Sequence, residues 1–586
     1  MSSHSVIRNI ILLFLSAVSS FADDGDPVVS LSYGKIRGHS LISENNNPYY
    51  SFQEIPYAAP PVGDLRFKEA EPPTAWEGIL DTKVNTKICY QQGYFTPTPN
   101  VTETEDCLFI NVYTPQNPSE STDTLLPVFV WIHGGGFIYG DGSFQQIGPR
   151  FLIDFGIVIV TFNYRLGPLG FLSTGDGVIP ANLGLKDQNF AIRWVKENIN
   201  LFGGDPEKIT IAGESAGGWA VGFHLLSKRS EGLFRAAILQ SGTALSPTTY
   251  QPLARHLAFQ LAQTIDPSFT SDDSTDLLNF LRNASVTDIG HTMISLPTDL
   301  DNGALVWVPT IEDEDQDGAF VTGPMEENIK NGNIVQVPII IGFTSEEEMT
   351  PISYGTSDLI RQGKVLDADL SKIVHFIFNM TAENEKLAGT EIRKIYTDKT
   401  FDEDFAALIS YTSDSTFSTP SLRHADLQSQ YTDVYVYQFS HKGPLGGITV
   451  DVEGVDPNGV GHAEDIRYIW DMSPYLDPSE YPEEDVVTRN RILKLWSNFV
   501  KYLIYKVAKL SANGDVKVAE ARRSNFGNPT PEDDELLQGV TWPKMSSDNF
   551  TYLNINTTLE VGTNPKKYKE WEKVIDAYAV PPFIIY

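Results

Sequence analysis

The stretch from Ile209 to Leu226 reads ITIAGESAGGWAVGFHLL. It opens apolar and β-branched, as a buried strand does, and closes in a run that can be helical. Between the halves stands Gly213-Glu214-Ser215-Ala216-Gly217, a serine with glycine two residues to either side. A serine at the tip of a sharp strand-to-helix turn projects its Oγ above the sheet edge. Its neighbours at plus and minus two must be small, because strand and helix pass closely there. The pattern predicts a nucleophile elbow, and the chemistry is attack on a carbonyl carbon. A hydroxyl is a weak nucleophile unaided, so the site also needs oxyanion donors, a base and an orienting acid. Donors are offered by VFVWIHGGGFIYG, Val128 to Gly140, where a strand ends in His133-Gly134-Gly135-Gly136. Successive glycines let bare backbone N–H groups converge on a growing alkoxide charge. Gly135, Gly136 and Ala216 are the expected oxyanion hole. A lone G-x-S-x-G or glycine triplet can be an ordinary turn; a pair of them, each after a strand, points to a site.

Further motifs accompany this pair: GKIRGHS (34–40), LRF (65–67), EDCLFINVY (105–113), NYRLGPLGFL (163–172) and GLKDQ (184–188). With them the chain resembles the secreted type-B carboxylesterases, the α/β-hydrolase group that also holds the cholinesterases, from residue 34 to at least NFVKYL near residue 500. The resemblance implies an α/β-hydrolase fold, a large and mostly parallel sheet flanked by helices, and a catalytic order of serine, acid, histidine. That order leaves His375, His424, His441 and His462 as bases. The family's G-x-x-H-x-x-D/E pattern falls on Gly459, His462 and Asp465, which selects His462. His375, in IVHFIF, reads as a packed core residue, and His424 as a residue of a helix. The acid of relatives stands five residues after the glycine that ends a strand; in PIIIGFTSEEEMT this is Glu347. Relatives usually carry Gly or Ala at the position of Glu348. Glu346 and Glu348 are expected to face away as solvated carboxylates. The resemblance also implies structural ion pairs Arg66–Glu105 and Arg165–Asp187, and a reaction that needs no metal and no cofactor.

Within the family, cholinesterases hold their cationic substrate over a tryptophan in the first cysteine loop. Here that loop, Tyr90 to Asp106, has no tryptophan, so choline esters are disfavoured. Insect juvenile hormone esterases typically read GQSAG at the elbow, whereas this chain reads GESAG. A general, odorant or xenobiotic carboxylesterase acting on a small-molecule ester is the expectation, with a juvenile hormone or pheromone esterase as the alternative. Neuroligin-like adhesion relatives lack the serine that this chain keeps.

The elements that must hold these residues follow from apolar runs. Val128–Ile132, Ile157–Phe162, Ile209–Ala212, Ala236–Leu239, Gln336–Gly342 and Asp433–Phe439 read as strands. Leu185–Ile199 reads as a helix. Such alternation argues for a parallel sheet with helices on its faces. Residues 245–330 are less regular and are expected to carry helical insertions. No repeat or linker divides the chain, so residues 23–586 read as one domain.

Among 586 residues, 41% are hydrophobic and 11% aromatic, enough for a large core. The formal charge of −33 excludes a phosphate-backbone partner such as nucleic acid. The N-terminus, MSSHSVIRNIILLFLSAVSSFADD, has a basic Arg8, an apolar run Ile10–Val18 and a small-x-small site at Ser20–Ala22. It reads as a signal peptide over residues 1–22, and the protein as secreted without a membrane anchor. Sequons at Asn100, Asn283, Asn379, Asn549 and Asn556 fit that route. The two cysteines, Cys89 and Cys107, are expected to form one disulfide. The acidic run EDEDQDG, Glu312–Gly318, fails as a calcium loop because Pro324 stands at position twelve, where a glutamate is required. It reads as a solvated loop.

Overall fold

The computed structural model of the chain describes residues 25–580, apart from 92–99, 121–123, 292–304, 353–355, 376–377, 449, 473–480, 503–508, 511–515, 518–528 and 531–534. The signal-peptide segment lies outside the described residues. Eleven strands build the main sheet: β1 His39–Ile42, β2 Pro48–Pro56, β3 Phe109–Thr114, β4 Leu126–Ile132, β5 Val158–Phe162, β6 Gly204–Glu214, β7 Ala236–Gln240, β8 Ile339–Thr344, β9 Val434–Phe439, β10 Thr551–Ile555 and β11 Leu559–Thr563. Their order is β11-β10-β9-β8-β7-β6-β4-β5-β3-β2-β1. From β10 to β5 neighbouring strands run parallel, and both edges are antiparallel. A small sheet of Val28–Leu31, Gly34–Arg37 and Ile79–Asp81 lies apart from it.

The inner strands are apolar throughout because both their faces are covered. In β4, Val128, Val130 and Ile132 join one core cluster while Phe129 and Trp131 join the other. The alternation repeats in β8, with Ile339 and Ile341 on one side and Ile340 on the other. The helices that matter for the site are α1 Leu183–Asn198, α2 Ala216–Leu226, α3 Phe405–Ser413, α4 Thr419–Ser429, α5 Glu483–Tyr502 and α6 Tyr568–Tyr578. Trp219 and Phe223 of α2 pack into the first cluster, and Leu495, Trp496 and Phe499 of α5 into the second. A π-helical turn, Asp414–Ser418, joins α3 to α4.

Register brings the carboxyl ends of the parallel strands level. Gly213 of β6 pairs with Ile132 of β4 and with Leu239 of β7, and Leu239 pairs with Ile341 of β8. The segments holding His133–Gly136, Ser215, Ser241 and Glu347 therefore leave one edge together. That edge is where ligands bind in open parallel sheets.

The expected strands and helix are all present with shifted ends. The strand expected from Gln336 starts at Ile339, after Pro338, which has no N–H for a ladder. Residues 245–330 hold the helices Ala254–Ile265, Ser274–Asn283, Val286–Gly290 and Met325–Lys330. Cys89 and Cys107 are joined in a disulfide. Arg66 meets Glu105 through two hydrogen bonds of 2.6 Å, and Arg165 meets Asp187 at 2.7 and 2.6 Å. Arg66 also donates to Leu281 O and Ala284 O, which fastens the inserted helices to the cysteine loop. One expectation needs correction: Glu312 of the acidic run is buried, not solvated. It takes hydrogen bonds from Lys186, Asn182 and the Phe320 amide, because its backbone folds back onto α1.

Candidate active site

Ser215 joins β6 to α2 with φ 56° and ψ −125°, a conformation that is strained for any residue with a Cβ. Its N–H donates to Gln240 O at 2.9 Å, and its carbonyl accepts from Trp219 N at 2.9 Å. The glycines around it are required by space. A Cβ on Gly217 would lie 2.1 Å from Ile132 O, and one on Gly213 would lie 2.5 Å from the Gly217 carbonyl carbon. Every residue from Ile209 to Leu225 is buried except Ser215, which is half-exposed. The elbow thus presents one hydroxyl from an otherwise closed segment.

The glycine loop after β4 passes directly against this serine. A Cβ on Gly134 would stand 3.1 Å from Ser215 Cβ. Gly135 and Gly136 both have positive φ, 104° and 61°, and a Cβ on Gly135 would meet Tyr139 O at 2.1 Å. His133 holds the turn from below: its ring stacks on Tyr164 at 4.3 Å, and Tyr164 Oη donates to His133 O at 2.9 Å. Burial lowers the His133 pKa to about 4, which keeps this ring neutral. Ala216 is the first residue of α2, where backbone N–H groups lack intrahelical acceptors.

Glu347 and His462 are in direct contact. Glu347 is fully buried, and its Oε2 lies 2.6 Å from His462 Nδ1. Its Oε1 accepts from Ser241 Oγ at 2.6 Å and from Thr344 N at 2.8 Å. His462 N–H donates to Glu347 O, and its carbonyl accepts from Thr350 Oγ1 at 2.7 Å. The Phe417 ring packs on the imidazole at 4.6 Å. On the far side, Nε2 lies 3.2 Å from Glu214 Oε1, beside the serine. Burial disfavours the imidazolium, but Glu214, Glu347 and Glu348 together outweigh it and hold the His462 pKa at about 9. Burial raises the Glu214 carboxyl to about 8 against the pull of His462. Asp465 is pushed up to about 6, chiefly by burial, while accepting from Gln240 Nε2 and Tyr437 Oη.

The other candidates separate cleanly. His424 is buried on α4 between Thr243 and Gln428, and His441 pairs with Asp485 at 2.7 Å. His375 is half-buried, with its pKa lowered to about 4 by burial. The expectation that Glu346 and Glu348 face solvent is corrected, since both are half-buried under the α3–α4 layer. Glu346 meets Ser410 Oγ at 3.3 Å and Lys566 Nζ at 3.7 Å. Glu348 donates its N–H to Ser413 Oγ, and burial raises its carboxyl, with His462 opposing and Glu347 reinforcing. Sequence reasoning missed Ser241, Phe417 and the charge of Glu214. Only Ser241 carried a signal, as a polar residue directly after a parallel strand. Among the described residues no group of three or more His, Cys, Asp or Glu is arranged to hold a metal ion.

Comparison with known proteins identifies the family. The model of the carboxylesterase family matches residues 25–571. Juvenile hormone esterase of Tribolium castaneum is 32% identical over 523 residues, covering 84% of this chain and 87% of that protein. A carboxylic ester hydrolase of Bombus ignitus is 33% identical over 484 residues, covering 80% and 84%. Juvenile hormone esterase of Heliothis virescens is 35% identical over 526 residues, covering 86% and 90%. The crystal structure of juvenile hormone esterase from Manduca sexta, with OTFP covalently attached, is similar with a TM-score of 0.78 at 27% identity, covering 94% of this chain and 99% of that one.

Proposed function

The chain belongs to the carboxylesterase family and is a carboxylic ester hydrolase, and from that premise we propose that it works through Ser215, His462 and Glu347. The observation that carries this reading is the strained, half-exposed Ser215 leaving the same sheet edge as the Glu347–His462 pair. Ser215 Oγ attacks the ester carbonyl carbon as its proton passes to His462 Nε2. Glu347 fixes the tautomer through Nδ1 and stabilises the imidazolium. The N–H groups of Gly135, Gly136 and Ala216 receive the oxyanion. Collapse expels the alcohol, which takes its proton from His462 and leaves an acyl-serine. Water then repeats the sequence and releases the acid, restoring the hydroxyl.

Glu347 and, above about pH 8, Glu214 place negative charge beside the imidazole and favour neutral over anionic esters, since an added negative charge there meets like charge. The signal-like N-terminus supports secretion, as do the sequons: Asn100, Asn283, Asn379 and Asn549 are exposed and Asn556 is half-buried. A juvenile hormone esterase specificity is the second reading, favoured by the relatives that bear that name. A kcat/KM for juvenile hormone above 10²-fold that for simple short-chain esters establishes it, and parity establishes the general reading. For the chemistry, Ser215→Ala is expected to fold and be exported while losing roughly 10³-fold or more of ester hydrolysis, because nucleophile and base act as a unit. Retained hydrolysis overturns the assignment.

A further inference from the structure

One buried cation lies against the acid loop. Lys566 precedes α6 in a short turn where it and Lys567 both have φ of 54°. Its Nζ donates to Ser345 O, one residue before the glutamate run. The same nitrogen lies 3.7 Å from Glu346 Oε1 and 3.8 Å from Asp414 Oδ1. Its side chain is only 13% exposed, which is rare for a lysine unless it is paired. Asp414 opens the π-helical turn between α3 and α4, and that turn carries Phe417, the ring packed on His462. Such π-turns recur at functional sites. Asp414 Oδ2 also accepts from Tyr396 Oη at 2.8 Å, and Tyr396 Oη in turn lies 2.6 Å from Trp571 Nε1 of α6. Lys566 therefore touches both segments that grip the imidazole, the loop below it and the turn above it.

We propose that Lys566 is a positioning residue for ester hydrolysis, tying the Glu347 loop to the Phe417 turn and so fixing the orientation of His462. The inference rests on the reading of His462 and Glu347 as base and acid. It assigns a task to the turn before α6, which supplies none of the proposed catalytic residues. A buried ammonium shared between a carbonyl and two carboxylates holds direction because each lost partner would leave a buried charge uncompensated. Misplacement of a catalytic group by about 1 Å is enough to cost on the order of 10²-fold in rate. The charged groups facing this cluster are Glu346, Glu347 and Asp414 around Lys566. Around His462 they are Glu214, Glu347, Glu348 and Asp465.

The test uses the full-length enzyme with a short neutral ester such as p-nitrophenyl acetate. Lys566→Met, which keeps length and removes charge, is expected to lower kcat by about 10- to 100-fold with KM within about twofold. The acid limb of kcat/KM is expected to move to higher pH, because one positive charge leaves the neighbourhood of the imidazolium. Lys566→Arg is expected to recover part of kcat. Wild-type kcat and acid limb in Lys566→Met, even with a lower Tm, overturn the inference and leave Lys566 as an anchor only. Should Lys566→Met fail to fold, Asp414→Asn cuts the same tie from the π-turn. It is expected to lower kcat at constant KM, and wild-type kcat there is equally contradictory. An inactive Glu347→Gln beside a fully active Lys566→Met sinks this inference alone. An active Glu347→Gln sinks the triad beneath it.

Discussion

At the scale of the residue, the chemistry depends on how much negative charge surrounds one imidazole. In the proposed mechanism His462 must be neutral to take the serine proton, yet against burial the neighbouring carboxylates raise its pKa to about 9, and burial raises Glu214 to about 8. The predicted kcat/KM accordingly climbs as pH rises through about 8 to 9. Glu214→Gln removes one carboxylate from beside Nε2, so the acid limb is expected to move to lower pH by about one to three pH units. An unmoved limb in a pH–rate profile contradicts this electrostatic account. Glu347→Gln is a different lesion. It leaves shape intact but spoils the tautomer, and a loss of roughly 10⁴-fold in kcat is expected, with folding followed by circular dichroism. The proposed serine, glycines, base and acid were legible as candidates because each sits in a local pattern. Ser241 showed only as a polar residue after a strand: its hydrogen bond to Glu347 spans 106 residues of sequence, and no spacing rule links them. The solvated reading of Glu346 and Glu348 failed for the same reason, since the layer that covers them lies about sixty residues downstream.

At the scale of the element, the strand–turn–helix unit is a packing problem before it is a catalytic one. β4, β6 and α2 approach so closely at Gly217 that a methyl group has no room. Gly217→Ala is expected to destabilise the fold by about 1–3 kcal/mol, through overpacking against the Ile132 carbonyl. Thermal unfolding and yield of exported protein measure this, and an unchanged Tm refutes the tight-contact explanation of the motif. The inner parallel strands were readable from sequence because burial on both faces makes them continuously apolar. The outer strands β1, β2, β3, β10 and β11 were not. β10 alternates buried with half-buried positions, and β11 is buried only at Leu559, so neither stands out as an apolar run.

At the scale of the whole molecule, the site exists only when distant parts of the chain come together. Residues 133–136, 215, 241, 347 and 462 converge at one edge of the sheet, while Arg66–Glu105, Arg165–Asp187 and the Cys89–Cys107 bridge brace the surrounding loops. Charge, composition and motifs gave the class of protein from sequence; the convergence itself needed the fold. Covalent capture of the intact enzyme tests that convergence most directly. An organophosphate is incubated with the exported wild-type protein, residual esterase activity is followed, and the labelled peptide is mapped. The account predicts one label per chain on Ser215, appearing in step with loss of activity and absent from Ser215→Ala. A label on another serine, or full inactivation with Ser215 unmodified, would contradict it.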